Sequence, residues 1–219
     1  MNVIIHVADS SHIHYAQPIC DLIYESAQVR GTGIAKRSAD YIEKKIASGR
    51  AIIALDGDVL VGFSYIETWS HRRFVANSGL IVNPDYRGQG FARKIKSRIF
   101  ALSRELYPNA KIFSITTGLA VMKMNSSLGF KPVTFSELTD DKEFWKGCNG
   151  CPNVEILKGN NYKMCLCTGL LYDPKLEELK QNDAKQEGLK KKQTKRVAAV
   201  KTFVGKLVRP VLNNNNKHK

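Results

Sequence analysis

No run of about 18 apolar residues occurs in this 219-residue chain, so the sequence offers no candidate membrane-spanning helix. The opening Met-Asn-Val-Ile-Ile-His-Val-Ala-Asp lacks the basic segment, apolar stretch and cleavage site of a secretory signal, and reads as a first strand. Cysteine is scarce, at five residues, which excludes a disulfide-built secreted scaffold and leads us to expect a cytoplasmic protein with reduced thiols. Two phosphate-binding signatures are also missing. There is no Gly-Lys-Ser/Thr, which excludes a P-loop. The segment Gly88-Gln89-Gly90 is followed by Arg93 where a dinucleotide fingerprint requires a small residue. Acidic residues are nearly absent from the end of the chain: Lys185 to Lys219 holds eleven Lys or Arg against Glu187 alone. That stretch supplies +10 of the formal +14, so the remainder is only mildly basic.

What is present suits one substantial core with an appendage, at 43% hydrophobic residues. Residues 2–8 read as a strand, and Asp9-Ser10-Ser11 supplies N-cap candidates for a helix to about Ser26. Its apolar positions Ile13, Ala16, Ile19, Leu22, Ile23 and Ala27 recur every three to four residues. Arg30-Gly31-Thr32-Gly33 breaks it, and Ser38 caps a second helix carrying Ile42 and Ile46. A meander follows: Ala51–Leu55, an Asp56-Gly57-Asp58 turn, Val59–Thr68, then Phe74–Val82. Further on come a helix to about Leu106, a strand Lys111–Thr116, a helix Gly118–Leu128 closed by Gly129, and a last strand Phe130–Phe135.

The most informative segment is Leu80–Ala92, LIVNPDYRGQGFA. An apolar strand stops at Val82, turns through Asn83-Pro84-Asp85, and hands over to a helix at a glycine-rich loop. Such a junction leaves backbone N–H groups free at the positive end of the helix dipole, which makes an anion site. The pattern Arg/Gln-x-x-Gly-x-Gly/Ala, met by Arg87, Gly90 and Ala92, resembles the pyrophosphate loop of the GNAT acyltransferases, which bind acyl-coenzyme A. The resemblance covers about residues 1–138. It implies an α/β GNAT fold, a mixed and mostly antiparallel sheet flanked by helices, and acetyl-CoA or another acyl-CoA as co-substrate. It also implies a cofactor site made of Leu80, Ile81 and Val82 on a splayed strand and Arg87, Gly88, Gln89, Gly90, Phe91 and Ala92 in the loop. The amide of Ile81 or Val82 would stabilise the oxyanion. Three regions are expected: an acyltransferase domain over 1–138, a small four-cysteine module over 139–173, and a charged helix with a basic, partly disordered tail over 174–219.

Many GNAT enzymes carry a tyrosine as general acid toward the leaving thiolate, five residues before the Phe of a Gly-Phe pair. Here the pair is Gly129-Phe130, and that position holds Asn125. A shifted serine (Ser126 or Ser127), a water, or no acid at all would then serve. For the base, Glu67 and His71 follow the second meander strand. Histidine titrates near neutrality, which suits a base, although Trp-Ser-His-Arg-Arg also reads as a surface loop.

Ile23–Ile46 resembles the region of N-acetylglutamate synthases that holds the carboxylates of glutamate. The matching positions are Lys36, Arg37 and Ser38, with Arg30, Arg72 and Arg73 as further cations; arginine suits carboxylates through its planar fork. The likeness implies transfer of an acetyl or succinyl group to a small amino acid, glutamate favoured, and a part in arginine biosynthesis. An unrelated small-molecule or protein amine is the other reading. Asn77 stands where those synthases carry a glutamate, and no amino-acid-kinase domain accompanies the segment.

Cys148-x-x-Cys151 and Cys165-x-Cys167, thirteen residues apart, flank a stretch read as a hairpin over Asn153–Asn161. Paired cysteines at this spacing match a closed, structural zinc site. Four reduced core thiols, or a redox pair, are the other readings. Cys20 reads as core. The basic tail either binds nucleic acid or is simply solvated, with Asn213–Asn216 disordered. A homodimer is compatible with all of this.

Overall fold

The computed structural model describes residues 2–30 and 36–212. The Gly31–Gly33 break, the side chain of Arg30 and the Asn213–Asn216 run lie outside what it describes. Residues 1–174 form one compact unit and residues 175–219 a second.

The first unit is built on a seven-stranded sheet. Strands β2 (Ala51–Asp56), β3 (Val59–Trp69) and β4 (Phe74–Val82) form the expected antiparallel meander, and β1 (Val3–Val7) pairs antiparallel with β2. β5 (Lys111–Thr116) runs parallel to β4. Helices α1 (Ala16–Arg30) and α2 (Ala39–Ala47) fall inside the first crossover, and α3 (Phe91–Leu106) lies between β4 and β5. α4 (Leu119–Ser127) and the short β6 (Lys131–Val133) follow.

Three local expectations change. The first helix opens as a 3₁₀ turn over Ser10–Tyr15, because Asp9 caps it in a capping box with His12. Residues 142–159 hold two short helices, α5 (Lys142–Lys146) and α6 (Val154–Gly159), in place of a hairpin. α6 forms because Leu157 turns inward to full burial and Glu155 pairs with Lys158 one turn on. Most consequential, the strand after α4 is not the last. Thr168–Tyr172 forms β7, which inserts between β5 and β6, antiparallel to both. The boundary drawn at residue 138 therefore cuts a continuous sheet, and the cysteine segment is part of the same core. β7 pairs with β5 over five residues, from Ile112–Tyr172 to Thr116–Thr168, and the three-residue β6 pairs with β7 outside it.

Apolar residues on both sheet faces fix the layers. Ile95, Ile99 and Leu102 of α3 pack with Ile52, Val61, Ile66 and Val75. Ile19, Ile23, Ile42 and Ile46 of α1 and α2 pack with Ile53, Phe63 and Tyr65. A third cluster joins Ala76 and Phe113 to Phe135, Trp145, Leu157 and Leu171. The second unit is described as the helix α7, Pro174–Leu212, on which Lys180 pairs with Glu177.

One core residue is out of character. Lys96 on α3 is 2% exposed, donates to Asn77 Oδ1 at 3.2 Å and lies 5.1 Å from the centre of the Phe130 ring. Burial pulls its ammonium down to about 7. The unfolded chain therefore keeps its proton where the folded chain has lost it. Stability should rise with pH from about 7 toward the ordinary lysine value, and the full penalty stands below about 7. Lys96→Met removes a buried charge and keeps the volume. It should stabilise the fold near pH 6.5 by roughly 1–3 kcal/mol in urea unfolding, the gap narrowing toward pH 9.5. Equal or lower stability of the variant at pH 6.5 would refute this account of Lys96.

Candidate active site

β4 and β5 pair only from Phe74–Lys111 to Ala76–Phe113 and then part. On its other edge β4 slips register against β3 between Phe63 and Tyr65, around Gly79 at φ +64. Gly79 has to be glycine: a Cβ there would meet the Tyr65 ring at 2.3 Å. The splay opens a cavity of about 540 Å³, walled by Asn77–Ile81 of β4 and Ser114–Thr116 of β5. Of the two residues whose amides are expected to meet the oxyanion, Ile81 lines this cavity and Val82 does not. Leu80 also lines it.

At the end of β4, Asn83 caps a 3₁₀ turn over Pro84–Tyr86, and α3 begins after Gly90, whose φ is +83. Gly90 gives α3 no side-chain cap, and while Arg93 N donates to Gly90 O at 3.1 Å, the N–H groups of Phe91 and Ala92 are left to an anion. A Cβ on Gly88 or Gly90 would meet nothing within 4 Å, so the space in front of the loop is open. Phe91 is buried against Tyr86 and anchors the helix start, Ala92 packs at the core edge, and the Gln89 side chain turns back to Asp85 O at 3.4 Å. Arg87 differs from expectation. Its Nε donates to Val82 O at 3.1 Å and its Nη2 to Ser26 Oγ at 3.0 Å, so the guanidinium ties the strand end to α1.

The cavity's polar wall is built from α2, β3 and β4. Glu67 is 7% exposed and accepts from Tyr41 Oη and from Ser78 Oγ, the latter at 2.7 Å. Arg37 Nε donates to Tyr65 Oη at 2.6 Å. Burial first, then the neighbouring Glu67 charge, raises both phenols far above the ordinary tyrosine value, so they remain hydrogen-bond donors throughout the working pH range. Lys45 lies over the Tyr41 ring at 4.8 Å, and burial lowers its pKa. Lys36, Arg37 and Ser38 all line the cavity, and Ser38 Oγ also caps α2 by accepting from Tyr41 N at 3.3 Å.

Three expected site residues lie elsewhere. His71 and Arg72 are exposed on the tight turn between β3 and β4, at φ +56 and +64, and do not line the cavity. The turn closes over three residues held in the left-handed region, which points these side chains to solvent. Asn125 is fully buried with neither side-chain oxygen nor nitrogen partnered, and it is not among the lining residues. Tyr41, Tyr65 and Ser78 were missed by sequence reasoning. The only sequence signal for Tyr41 was its place one turn after the Ser38 cap.

The four cysteines of the later segment come together. Cys148, Cys151, Cys165 and Cys167 line one small cavity of about 20 Å³ with Asn153 and Leu157. Burial and the neighbouring thiols push Cys148 up to about 11 and Cys167 to about 12. Among the described residues no three His, Cys, Asp or Glu side chains stand at metal-ligand geometry. Cys148, Cys151 and Cys167 also line the large cavity.

Comparison with known proteins agrees with this geometry. No curated protein matches the sequence. Among solved structures, N-acetylglutamate synthase from Neisseria gonorrhoeae, complexed with coenzyme A and N-acetyl-glutamate, is similar at TM-score 0.56 and 18% identity. The match covers 79% of this chain but only 35% of that one, so the present chain spans about a third of the synthase. A GNAT-family acetyltransferase from Staphylococcus aureus matches at TM-score 0.57 and 14% identity, over 79% of this chain and 99% of that one. Diaminobutyrate acetyltransferase EctA from Paenibacillus lautus, in complex with L-2,4-diaminobutyric acid and coenzyme A, matches at 0.53 and 10%, over 79% and 95%. At these identities the likeness shows the fold. Residues 20–121 match the sequence profile of the Acetyltransferase (GNAT) family. The splayed β4–β5 pair, the glycine loop before α3 and that match together show a GNAT fold, with residues 20–121 similar to the acetyltransferase domain of that family.

Proposed function

We propose that this enzyme acylates the amino group of a small amino acid bearing a carboxylate, glutamate favoured, with acetyl-CoA or succinyl-CoA as donor, and that Cys148, Cys151, Cys165 and Cys167 hold a structural zinc beside the acceptor site. The observation that carries the reading is that Lys36, Arg37 and the buried Glu67 all line the one cavity opened by the β4–β5 splay. The cations suit an acceptor's carboxylate, and the carboxylate of Glu67 suits its amine.

The residues divide the work of the reaction. The loop at Gly88–Gly90 and the start of α3 bind the pyrophosphate, which lays the thioester arm into the splay. Glu67, fixed by Tyr41 and Ser78, accepts the proton that the acceptor ammonium must lose, directly or through one water. The freed amine attacks the thioester carbonyl carbon, the oxyanion is met by the Ile81 amide, the attacking nitrogen gives its second proton to solvent, and the C–S bond breaks as the thiolate departs. With Asn125 outside the cavity, no side chain at that position protonates the leaving sulfur, and solvent supplies the proton.

Thiol release from acetyl-CoA and succinyl-CoA, measured against a panel of amino acids, tests the reading. Turnover with glutamate, or with another acidic amino acid, supports it. Turnover confined to amines lacking a carboxylate refutes it.

A further inference from the structure

We infer that metal loading of the four cysteines sets the acceptor side of the active site: one Zn²⁺ held by Cys148, Cys151, Cys165 and Cys167 fixes the cavity wall that receives the acceptor amino acid, and leaves the coenzyme A loop untouched. The acceptor half of this statement rests on the function proposed above; the metal half does not.

Three observations carry it. First, two cysteine pairs separated by thirteen residues converge on one cavity of about 20 Å³, which is the room a single small ion or water needs. Four sulfurs and no oxygen ligand select a soft, tetrahedral ion, and zinc is the common one. Second, Asn153 lines the same cavity, is 8% exposed, and its Nδ2 has no hydrogen-bond partner. A buried N–H donor without an acceptor is costly, and a thiolate bound to a cation is the acceptor it lacks. Third, three of the four cysteines belong to two cavities at once, since Cys148, Cys151 and Cys167 line the acceptor cavity as well.

The coupling follows from the chain's connectivity. α5 stands immediately before Cys148 and supplies Glu143 and Phe144 to the acceptor cavity. Phe144 meets Trp69 edge-on at 5.6 Å, and Cys148 lines the same cavity as Arg37. Cys165 and Cys167 lead directly into β7, whose pairing holds the far edge of β5. An ion that draws the four sulfurs to one centre therefore fixes α5 and the start of β7 together. Among the described residues the sulfurs do not stand at ligand spacing, so the four side chains must move on loading. Loading releases the thiol protons to solvent and leaves a net negative cluster, with the Asn153 side chain in the same cavity. The glycine loop lies at the opposite end of β4 and shares no residue with either cysteine pair.

The test uses the full chain, purified without chelator. Elemental analysis should give about one zinc per chain, and cobalt loading should give the thiolate charge-transfer and tetrahedral d–d bands of an S₄ site. Asn153→Ala should weaken zinc retention in a chelator competition by about 10–100-fold while retaining the cobalt spectrum. Stripping the metal should speed amide exchange over residues 142–151 and 165–172 and raise the acceptor KM, with coenzyme A affinity unchanged in calorimetry. Absence of bound zinc together with no cobalt thiolate bands overturns the site. Metal present, with exchange and acceptor KM indifferent to its removal, overturns the coupling and leaves the proposed function standing. Exchange that responds to metal in a protein that turns over no acidic amino acid keeps the coupling and removes the acceptor assignment instead.

Discussion

Gly90→Glu should abolish coenzyme A binding, with affinity falling by at least about 100-fold, roughly 3 kcal/mol. Two costs add. Gly90 sits at φ +83, where any L side chain is strained, on the order of 1–2 kcal/mol. The new carboxylate then stands at the α3 start, in the open space where the pyrophosphate must lie, and like charges there cancel the helix dipole's attraction. Gly90→Ala separates the two terms. Nothing lies within 4 Å of its Cβ, so the alanine variant pays strain alone and should lose far less affinity. Calorimetric titration with coenzyme A, with circular dichroism confirming the fold, reads both. Near-normal binding by Gly90→Glu would place the pyrophosphate elsewhere.

Glu67→Gln should lower kcat by about 10²- to 10⁴-fold, the usual worth of a positioned base, and leave coenzyme A affinity unchanged. Glutamine keeps the length of the side chain and can still accept from Tyr41, so the wall is preserved and only the proton acceptor is lost. Ser78→Ala removes one of the two hydrogen bonds to Glu67 and serves as the positioning control. It should cost much less, and its effect should appear as a shift in the pH profile of kcat. A Glu67→Gln enzyme with full kcat would move the base to a water or to another residue.

The parts of the site that were legible in the sequence are those set by local chemistry. Asp56-Gly57-Asp58 marks a hairpin, Ser38 marks a cap, and the Arg87–Ala92 spacing marks a strand-to-helix anion loop whichever partners surround it. Glu67 was singled out, with His71, by its place near the end of the second meander strand, and it lines the cavity where His71 does not. What the sequence hid is set by pairing at long range. β7 lies more than fifty residues beyond its partner β5, and only the sheet shows that it enters between β5 and β6. Arg87 looked like a phosphate ligand by position, yet Val82 O and Ser26 Oγ occupy its donors. His71 had the right intrinsic chemistry and lies on the wrong side of a tight turn. The cysteine pairs announced themselves by spacing, but that they wall the acceptor cavity depends on α5 and β7 packing beneath the splay.

The central claim is that one cavity joins an acyl-CoA loop to an acceptor site for an acidic amino acid. The most direct test is steady-state thiol release by the full chain with acetyl-CoA and succinyl-CoA, glutamate varied, for wild type and Arg37→Ala side by side. The account predicts saturable turnover with glutamate by the wild type. It also predicts an acceptor KM raised by at least about tenfold in Arg37→Ala, as expected when a charged hydrogen bond to a carboxylate is removed, with the KM for acyl-CoA unchanged. Turnover of glutamate that is indifferent to Arg37, or activity only toward amines without a carboxylate, would contradict it.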